Sequence, residues 1–444
     1  MRKTLITLFC FCLGLQLLHA QRNPELSLDP SKAEWFREAK FGMFIHWGLY
    51  SMLEGSYNGR TLPDKSLKNG DSWYAEWIHP RLEIPKQEYQ KLKDRFNPTG
   101  YNAEEWVLEA KNAGIRYIVI TSKHHEGFAL WDSKVSKYTI AHTPYKKDLL
   151  QQLVDACKKH DMKYGFYYSH WLDWEDPDAP FTQWEQPRRS DSDFEKYWQR
   201  KVLPQVKELL VKFNPDLLWF DTWGDNDHIT PQRRDELIRL IRKNSNKCLI
   251  NGRICYSNPG ENIDFLEMGD NAYPSSILDR PWQSPATMQH SWGYHAKDFN
   301  WKSADKMVEY LVQCTSRGGN YLLNIGPKGD GTLPIPAVRR LREIGAWMLA
   351  NNEAIYGTQP IRIDAPKGVY LSQKTVEGKH YMYIFMAQPI SQITLAVNGT
   401  GDCKVLETGQ PITYKNYGEA VCLDIPENLF KDSSLQVLKL EIKQ

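Results

Sequence analysis

Beyond its first twenty residues the chain of 444 has no apolar run long enough to cross a membrane, for which a helix needs about 20 consecutive apolar residues. It has no Cys-x-x-Cys pair and no His-x-x-x-His. Those are the spacings that mark zinc sites, so no metal is expected. No Gly-rich phosphate turn follows the first apolar run at 41–48. That sets aside a doubly wound dinucleotide fold, and no cofactor is expected. Lys and Arg number 56 against 54 Asp and Glu, a formal charge of only +2, which argues against a nucleic-acid surface. There is no internal repeat and no low-complexity segment. The chain is rich in aromatics, with 16 Trp and 23 Tyr, an excess that suits a carbohydrate binder.

Residues 1–20 stand apart. Arg2 and Lys3, an apolar stretch at 5–18 and Leu18-His19-Ala20 before Gln21 make a secretory signal pattern. Export to a periplasmic, extracellular or lysosome-like compartment is therefore expected. Six cysteines follow it: Cys157, Cys248, Cys255, Cys314, Cys403 and Cys422. An exported chain permits disulfides without requiring them, and Cys403 with Cys422 is the expected pair.

The stretch 214–223 organises the chain. An apolar run, Leu217-Leu218-Trp219-Phe220, ends in Asp221 and Trp223 follows. A short apolar run between turn signals reads as a buried parallel strand. A carboxylate at its end sits where α/β barrels keep their chemistry, although an Asp there can equally serve as a helix N-cap. Similar strands are expected at 41–48, 117–121, 164–169, 248–253, 289–294 and 321–327, alternating with helices at 103–113, 149–160, 193–213, 304–314 and 337–350. Pro204 should kink the long helix. Strands alternating with helices over some 300 residues imply a parallel sheet with helical crossovers. Since the strands end in His46, His124, Asp221, Arg253 and Asn324, the expected fold class is an α/β (β/α)8 TIM-type barrel over 21–356. From about Gly357 short β-rich runs with period-two alternation predict a C-terminal antiparallel β-sandwich, 357–444.

Several residue types could do chemistry. Adjacent histidines, His124 and His125, should point to opposite faces of a strand, so they suit hydroxyl binding better than chelation. Satisfied core histidines are the plainer reading. Tyr74-Ala75-Glu76-Trp77 sets a carboxylate among aromatics, and Asp264, Glu267 and Asp270 follow Arg253. Retaining glycoside hydrolysis needs two carboxyl groups about 5–5.5 Å apart, one nucleophile and one proton shuttle. Loop carboxylates are more often solvated surface groups.

The ordered segments FGMFIHWG, WYAEW, TSKHHEGFALWDS, FYYSHW, PDLLWFD, NGRI, MGDN, SPATMQHSWGY and GGNYLLNIGPKGDG together resemble the α-L-fucosidases of glycoside hydrolase family 29. The resemblance implies a retaining exo-α-L-fucosidase acting on fucosylated oligosaccharides or glycoconjugates. It implies Asp221 as nucleophile. It implies His46, His124, His125, Trp219 and Arg253 around the sugar, with Tyr74, Glu76 and Trp77 as a further wall and Trp292 on the fucose methyl. Tyr168 is expected to join them, with Tyr167 as its alternative. Asp270 is the expected acid/base, with Glu267 and Glu76 as fallbacks. Many relatives read Trp-Glu where this chain reads Trp282-Gln283, and an amide cannot donate a proton as a carboxylic acid does. Two other readings stay open: specificity shifted to galacto-configured glycosides, and a catalytically impaired carbohydrate binder.

Overall fold

The computed structural model describes residues 25–185, 188–224, 227–430 and 435–443. The expected signal peptide lies outside them. Eight parallel strands form one sheet in which each neighbours the next in the chain, except the fifth and sixth, which stand at its two edges. They are β1 (Phe41–Ile45), β2 (Tyr117–Lys123), β3 (Lys163–Tyr168), β4 (Leu217–Phe220), β5 (Leu249–Ile250), β6 (Leu266–Glu267), β7 (Trp282–Thr287) and β8 (Asn320–Ile325). Strand β8 pairs back onto β1. The remaining gap between β5 and β6 is bridged by a parallel contact between Asn251 and Phe265, with the Gly252 amide donating to the Phe265 carbonyl at 2.9 Å. The sheet therefore closes into a barrel.

Alternation divides each strand between two cores. Phe44, Val119, Tyr167, Leu217, Trp219, Leu249 and Leu322 fill the barrel. Met43, Ile118, Phe166, Tyr168, Leu218 and Phe220 face the helices. The N-terminal helix Glu34–Ala39 plugs the bottom, where the Phe36 ring sits 4.5 Å from that of Phe265. The outer layer includes α1 (Ala103–Asn112), α2 (Leu149–Lys159), α3 (Leu203–Phe213), α4 (Pro231–Asn244), α5 (Ala304–Ser316) and α6 (Ile335–Asn351). Asn102, Asp148, Thr230 and Ser303 cap four of them through their side chains, satisfying amides that a helix start leaves orphaned. The long helix before β4 does break near Pro204, where a π-helical turn, Trp198–Val202, precedes α3.

The barrel departs from the expected pattern in its second half. After β5 there is only a 3-10 turn, Gly252–Cys255, and β6 runs straight into the loop 268–281. These short, helix-free connections bring Arg253 and Asp270 to the mouth. The seventh strand is Trp282–Thr287 rather than 289–294; residues 289–294 form the loop beyond it.

The C-terminal part is antiparallel throughout. One sheet contains β9 (Val369–Val376), β10 (Lys379–Met386), β15 (Gln436–Ile442) and β12 (Gly399–Val405) in that order. A second contains β11 (Gln392–Leu395), β14 (Ala420–Asp424) and β13 (Tyr414–Tyr417). Leu371, Ile384, Ile393, Leu423 and Leu440 fill the space between the sheets. The expected disulfide is absent: Cys403 and Cys422 are both free thiols. Cys403 points into the sandwich core. Cys422 lies between the core residues Val421 and Leu423 on β14, so alternation turns its side chain to the opposite face.

Candidate active site

A cavity of about 300 Å³ opens at the C-terminal end of the barrel. Its wall includes His46, Tyr74, Glu76, Trp77, His124, His125, Trp219, Asp221, Arg253, Asp270 and Trp292. Eleven sequence-predicted positions thus converge from seven places in the chain.

Tyr168 does not belong to this group. It faces the helix layer, where its hydroxyl donates to Gln205 Oε1 at 2.8 Å and its ring lies under Lys123. Tyr167 is the inward residue, paired in register with Trp219, and its hydroxyl donates to Asp221 Oδ2 at 2.8 Å. The two histidines also differ from expectation. Strand β2 ends at Lys123, and the turn after it, closed by Gly127 N–H to His124 O at 3.0 Å with Gly127 at φ +80°, faces both rings into the cavity. Their centroids are 4.2 Å apart.

Asp221 leaves β4 just past Trp219 and is 8% exposed. Arg253 Nη1 donates to its Oδ1 at 3.1 Å, and His125 Nε2 lies 3.6 Å from its Oδ2. Burial pushes the carboxyl above its ordinary range, opposed by the Arg253 guanidinium and the Tyr167 hydroxyl. The other end of the same guanidinium, Nη2, donates to Asp270 Oδ1 at 2.6 Å and to the Met268 carbonyl at 2.9 Å. Arg253 lies 5.1 Å over the Trp219 ring. Two carboxylates are therefore bridged by one cation whose plane rests on an indole.

The histidines are held neutral. Burial pulls His46 down to about 4 and His124 and His125 well below their ordinary value. His46 Nδ1 is bonded to Asn324 Oδ1 at 2.7 Å and His125 Nδ1 to Ser169 Oγ at 2.7 Å. His46 keeps its other ring nitrogen for a hydroxyl partner, whereas His125 Nε2 faces the Tyr167 hydroxyl at 3.5 Å and Asp221 Oδ2 at 3.6 Å. Glu76 is buried on the opposite wall. Its Oε2 accepts from the Gly293 amide at 2.9 Å and from Ser291 Oγ at 3.3 Å, and its Oε1 has no partner. Burial pushes its carboxyl up to about 7. Phe44 stands 5.0 Å from Trp219 and 6.0 Å from Trp292, which makes one corner apolar.

Two residues weighed as acids lie elsewhere. Glu267 ends β6 inside the barrel, hydrogen-bonded to the Gln283 amide, and Gln283 Oε1 accepts from Tyr117 OH at 2.8 Å. Gln283 is fully buried on β7 and does not reach the cavity, so its amide has no bearing on the reacting groups. The cavity also contains Phe44, Arg81, Gln183, Trp223 and Tyr256. Trp223 had a signal, its position beside Asp221, and Arg81 follows Trp77 at helical spacing. Gln183 and Tyr256 had none. Among the described residues no group of three or more His, Cys, Asp or Glu is placed to hold a metal ion.

The chain is similar to known proteins over most of its length. The family model described as alpha-L-fucosidase matches residues 19–353. The human plasma alpha-L-fucosidase is 29% identical over 88% of this chain and 85% of that protein. Alpha-L-fucosidase isoenzyme 1 of Paenibacillus thiaminolyticus superposes with a TM-score of 0.78 at 30% identity, covering 93% of this chain and 99% of that one. A family 29 enzyme of Bacteroides thetaiotaomicron, trapped as a covalent intermediate with 2-fluoro-fucosyl fluoride, superposes with a TM-score of 0.83 at 26% identity, covering 94% and 97%. With the barrel, the carboxylate at the end of its fourth strand and the family match in agreement, this chain belongs to the alpha-L-fucosidase family of glycoside hydrolases.

Proposed function

We propose that the protein is a retaining exo-α-L-fucosidase in which Asp221 is the nucleophile and Asp270 the acid/base. The observation that carries this reading is the pair of carboxylates joined through Arg253 at the floor and rim of one cavity. Retention requires about 5–5.5 Å between carboxyl groups, a span that two acids sharing one guanidinium can meet. An Asp221 oxygen attacks the anomeric carbon as the glycosidic bond breaks, and Asp270 delivers its proton to the departing oxygen. Asp270 then takes a proton from water, which attacks the same carbon and releases Asp221 with net retention.

Position separates the three possible acids. In an exo-enzyme the leaving group points out of the cavity, so its proton must come from the rim. The Asp270 side chain is 35% exposed. Glu76 is buried and tied to the 291–293 wall, and Glu267 is inside the barrel. Glu76 is the second reading because its value of about 7 keeps a proton available near neutrality. The apolar corner of Phe44, Trp219 and Trp292 suits the methyl of a 6-deoxy sugar and gives no partner to a galactose 6-hydroxyl. An exported location fits relatives named for plasma. The deciding experiment is incubation with 2-fluoro-fucosyl fluoride followed by peptide mass spectrometry. A fucosyl adduct on Asp221 is expected; an adduct on another residue, or none under turnover conditions, would overturn the reading.

A further inference from the structure

Arg81 is the unexplained charge at the cavity. It ends a short helix, Ile78–Arg81, four residues after Trp77, so both side chains share one face. The guanidinium lies 5.8 Å from the Trp77 ring and 5.8 Å from the Trp184 ring, whose centroids are 5.6 Å apart. One contact anchors it: Nη1 donates to the Asn69 carbonyl at 2.8 Å. Its Nε is buried without a partner. The contrast with Arg253 is plain, because that cation is held by two carboxylates, whereas Arg81 forms no ion pair among the described residues. The groups that face it electrostatically are Glu76 and Tyr74. The Tyr74 phenol is neutral, pushed up to about 12 by burial, and Glu76 is already engaged with Gly293 and Ser291.

A partly buried guanidinium pinned on aromatic faces, with donors left over at the rim of a sugar pocket, is a receptor for a planar or tetrahedral oxyanion. The reaction itself needs no second cation on this wall, since Arg253 already serves Asp221. We propose that Arg81 recognises an anionic substituent, a sulfate ester or a carboxylate, on the part of the glycan next to the departing fucose. This rests on the fucosidase reading and names a substrate class for it. Gln183, which also lines the rim, is placed to hydrogen-bond the neutral part of the same sugar.

The test compares kcat/KM on three substrates: a fucosylated N-acetyllactosamine, its 6-sulfated counterpart and its 3′-sialylated counterpart. A 4-nitrophenyl fucoside reports the fucosidase activity itself. The natural enzyme should prefer at least one charged substrate to the neutral parent by roughly tenfold, the value of a charge-assisted contact, and high salt should shrink that preference. Arg81→Gln should bring the charged-to-neutral ratio close to one, and Arg81→Lys should restore part of it. The sulfated and sialylated arms identify which oxyanion is taken. A natural enzyme that hydrolyses the aryl fucoside yet shows no charged preference overturns the inference while leaving the fucosidase reading intact. So does an Arg81→Gln variant that slows all substrates alike, which is what loss of a merely structural arginine would do. An enzyme inactive on every fucoside fails the underlying reading instead.

Discussion

At the residue scale the proposed chemistry depends on one buried guanidinium bonded to two carboxylates. With Asp221 as the proposed nucleophile, Asp221→Asn should cut turnover by several orders of magnitude with the fold intact; near-wild-type turnover in pure variant protein would take Asp221 out of the mechanism. Asp221 must be ionised to attack. Because burial raises it above the ordinary 3.8, kcat/KM should fall on the acid side at a pH above that value. Arg253→Gln removes the main opposing influence, so the acid limb should move to higher pH; a pH profile that stays in place would contradict the coupling. An acid catalyst matters in proportion to the basicity of the leaving group. Asp270→Ala should therefore be severe on an oligosaccharide and mild for 2,4-dinitrophenyl fucoside, with azide accelerating the second step. The same pattern in Glu76→Ala, and not in Asp270→Ala, would hand the role to Glu76. Sequence placed Asp221 and Arg253 well because each follows an apolar strand. It favoured Tyr168 over Tyr167, and the structure reverses that choice. Either can face inward until β3 is set in register against β4, and that pairing is tertiary information.

At the element scale, legibility followed apolar texture. Strands β1, β2, β3, β4 and β8 carry four to seven residues and were visible as apolar runs. Strand β6 has only two residues, and β7 contains Ser284-Pro285-Ala286, which reads as a turn because proline cannot donate to a ladder. Both were missed or displaced, together with the placing of Gln283 inside the barrel. The paired histidines were misread for a related reason: period two ends where the strand ends, and β2 stops one residue before His124. The following turn also contains Glu126, which takes Tyr89 OH at 2.5 Å and the Leu49 amide at 2.9 Å, tying the β1 and β2 loops together under the site. Burial lifts its carboxyl from 4.5 to about 7, so the folded state binds this proton more tightly than the unfolded chain. Its stabilising contribution is complete below about 4.5 and is lost as pH rises through 7. Glu126→Gln should make the urea midpoint fall less between pH 5 and pH 8, by the equivalent of on the order of 2 kcal/mol. Equal falls in the two proteins would show that Glu126 does not titrate with folding.

At the scale of the whole molecule the sandwich and the barrel share a core. Alternation along β10 sends Ile384 into the sandwich and its neighbours Tyr383 and Phe385 into the cluster that surrounds the barrel helices, with Val437 from β15 beside them. Polar contacts follow the same seam. Tyr383 OH donates to Glu353 Oε1 at 2.6 Å, and Tyr370 OH lies 2.7 Å from Gln313 Nε2 and 3.1 Å from Glu309 Oε1 on α5. Burying a large apolar side chain contributes about 1.5–3 kcal/mol, so three of them are comparable with the net stability of a whole domain. The change in sequence texture near Gly357 marks where the chain stops building the barrel, but it says nothing of this seam, because a residue facing a neighbouring layer looks the same as one facing its own. Asp402 and Asp424 lie on the sandwich and do not line the cavity, so their Asn variants should keep kcat at saturating substrate; a large fall would bring the sandwich into the chemistry. Phe385→Ala should lower the melting temperature of barrel and sandwich together while leaving KM for an aryl fucoside unchanged. A chain ended at 357 should expose the seam and aggregate or melt well below the full protein. Calorimetry decides the point: one cooperative transition is expected for the full chain, whereas two separate transitions, with a 25–357 fragment of full activity, would show that the sandwich only accompanies a barrel stable by itself.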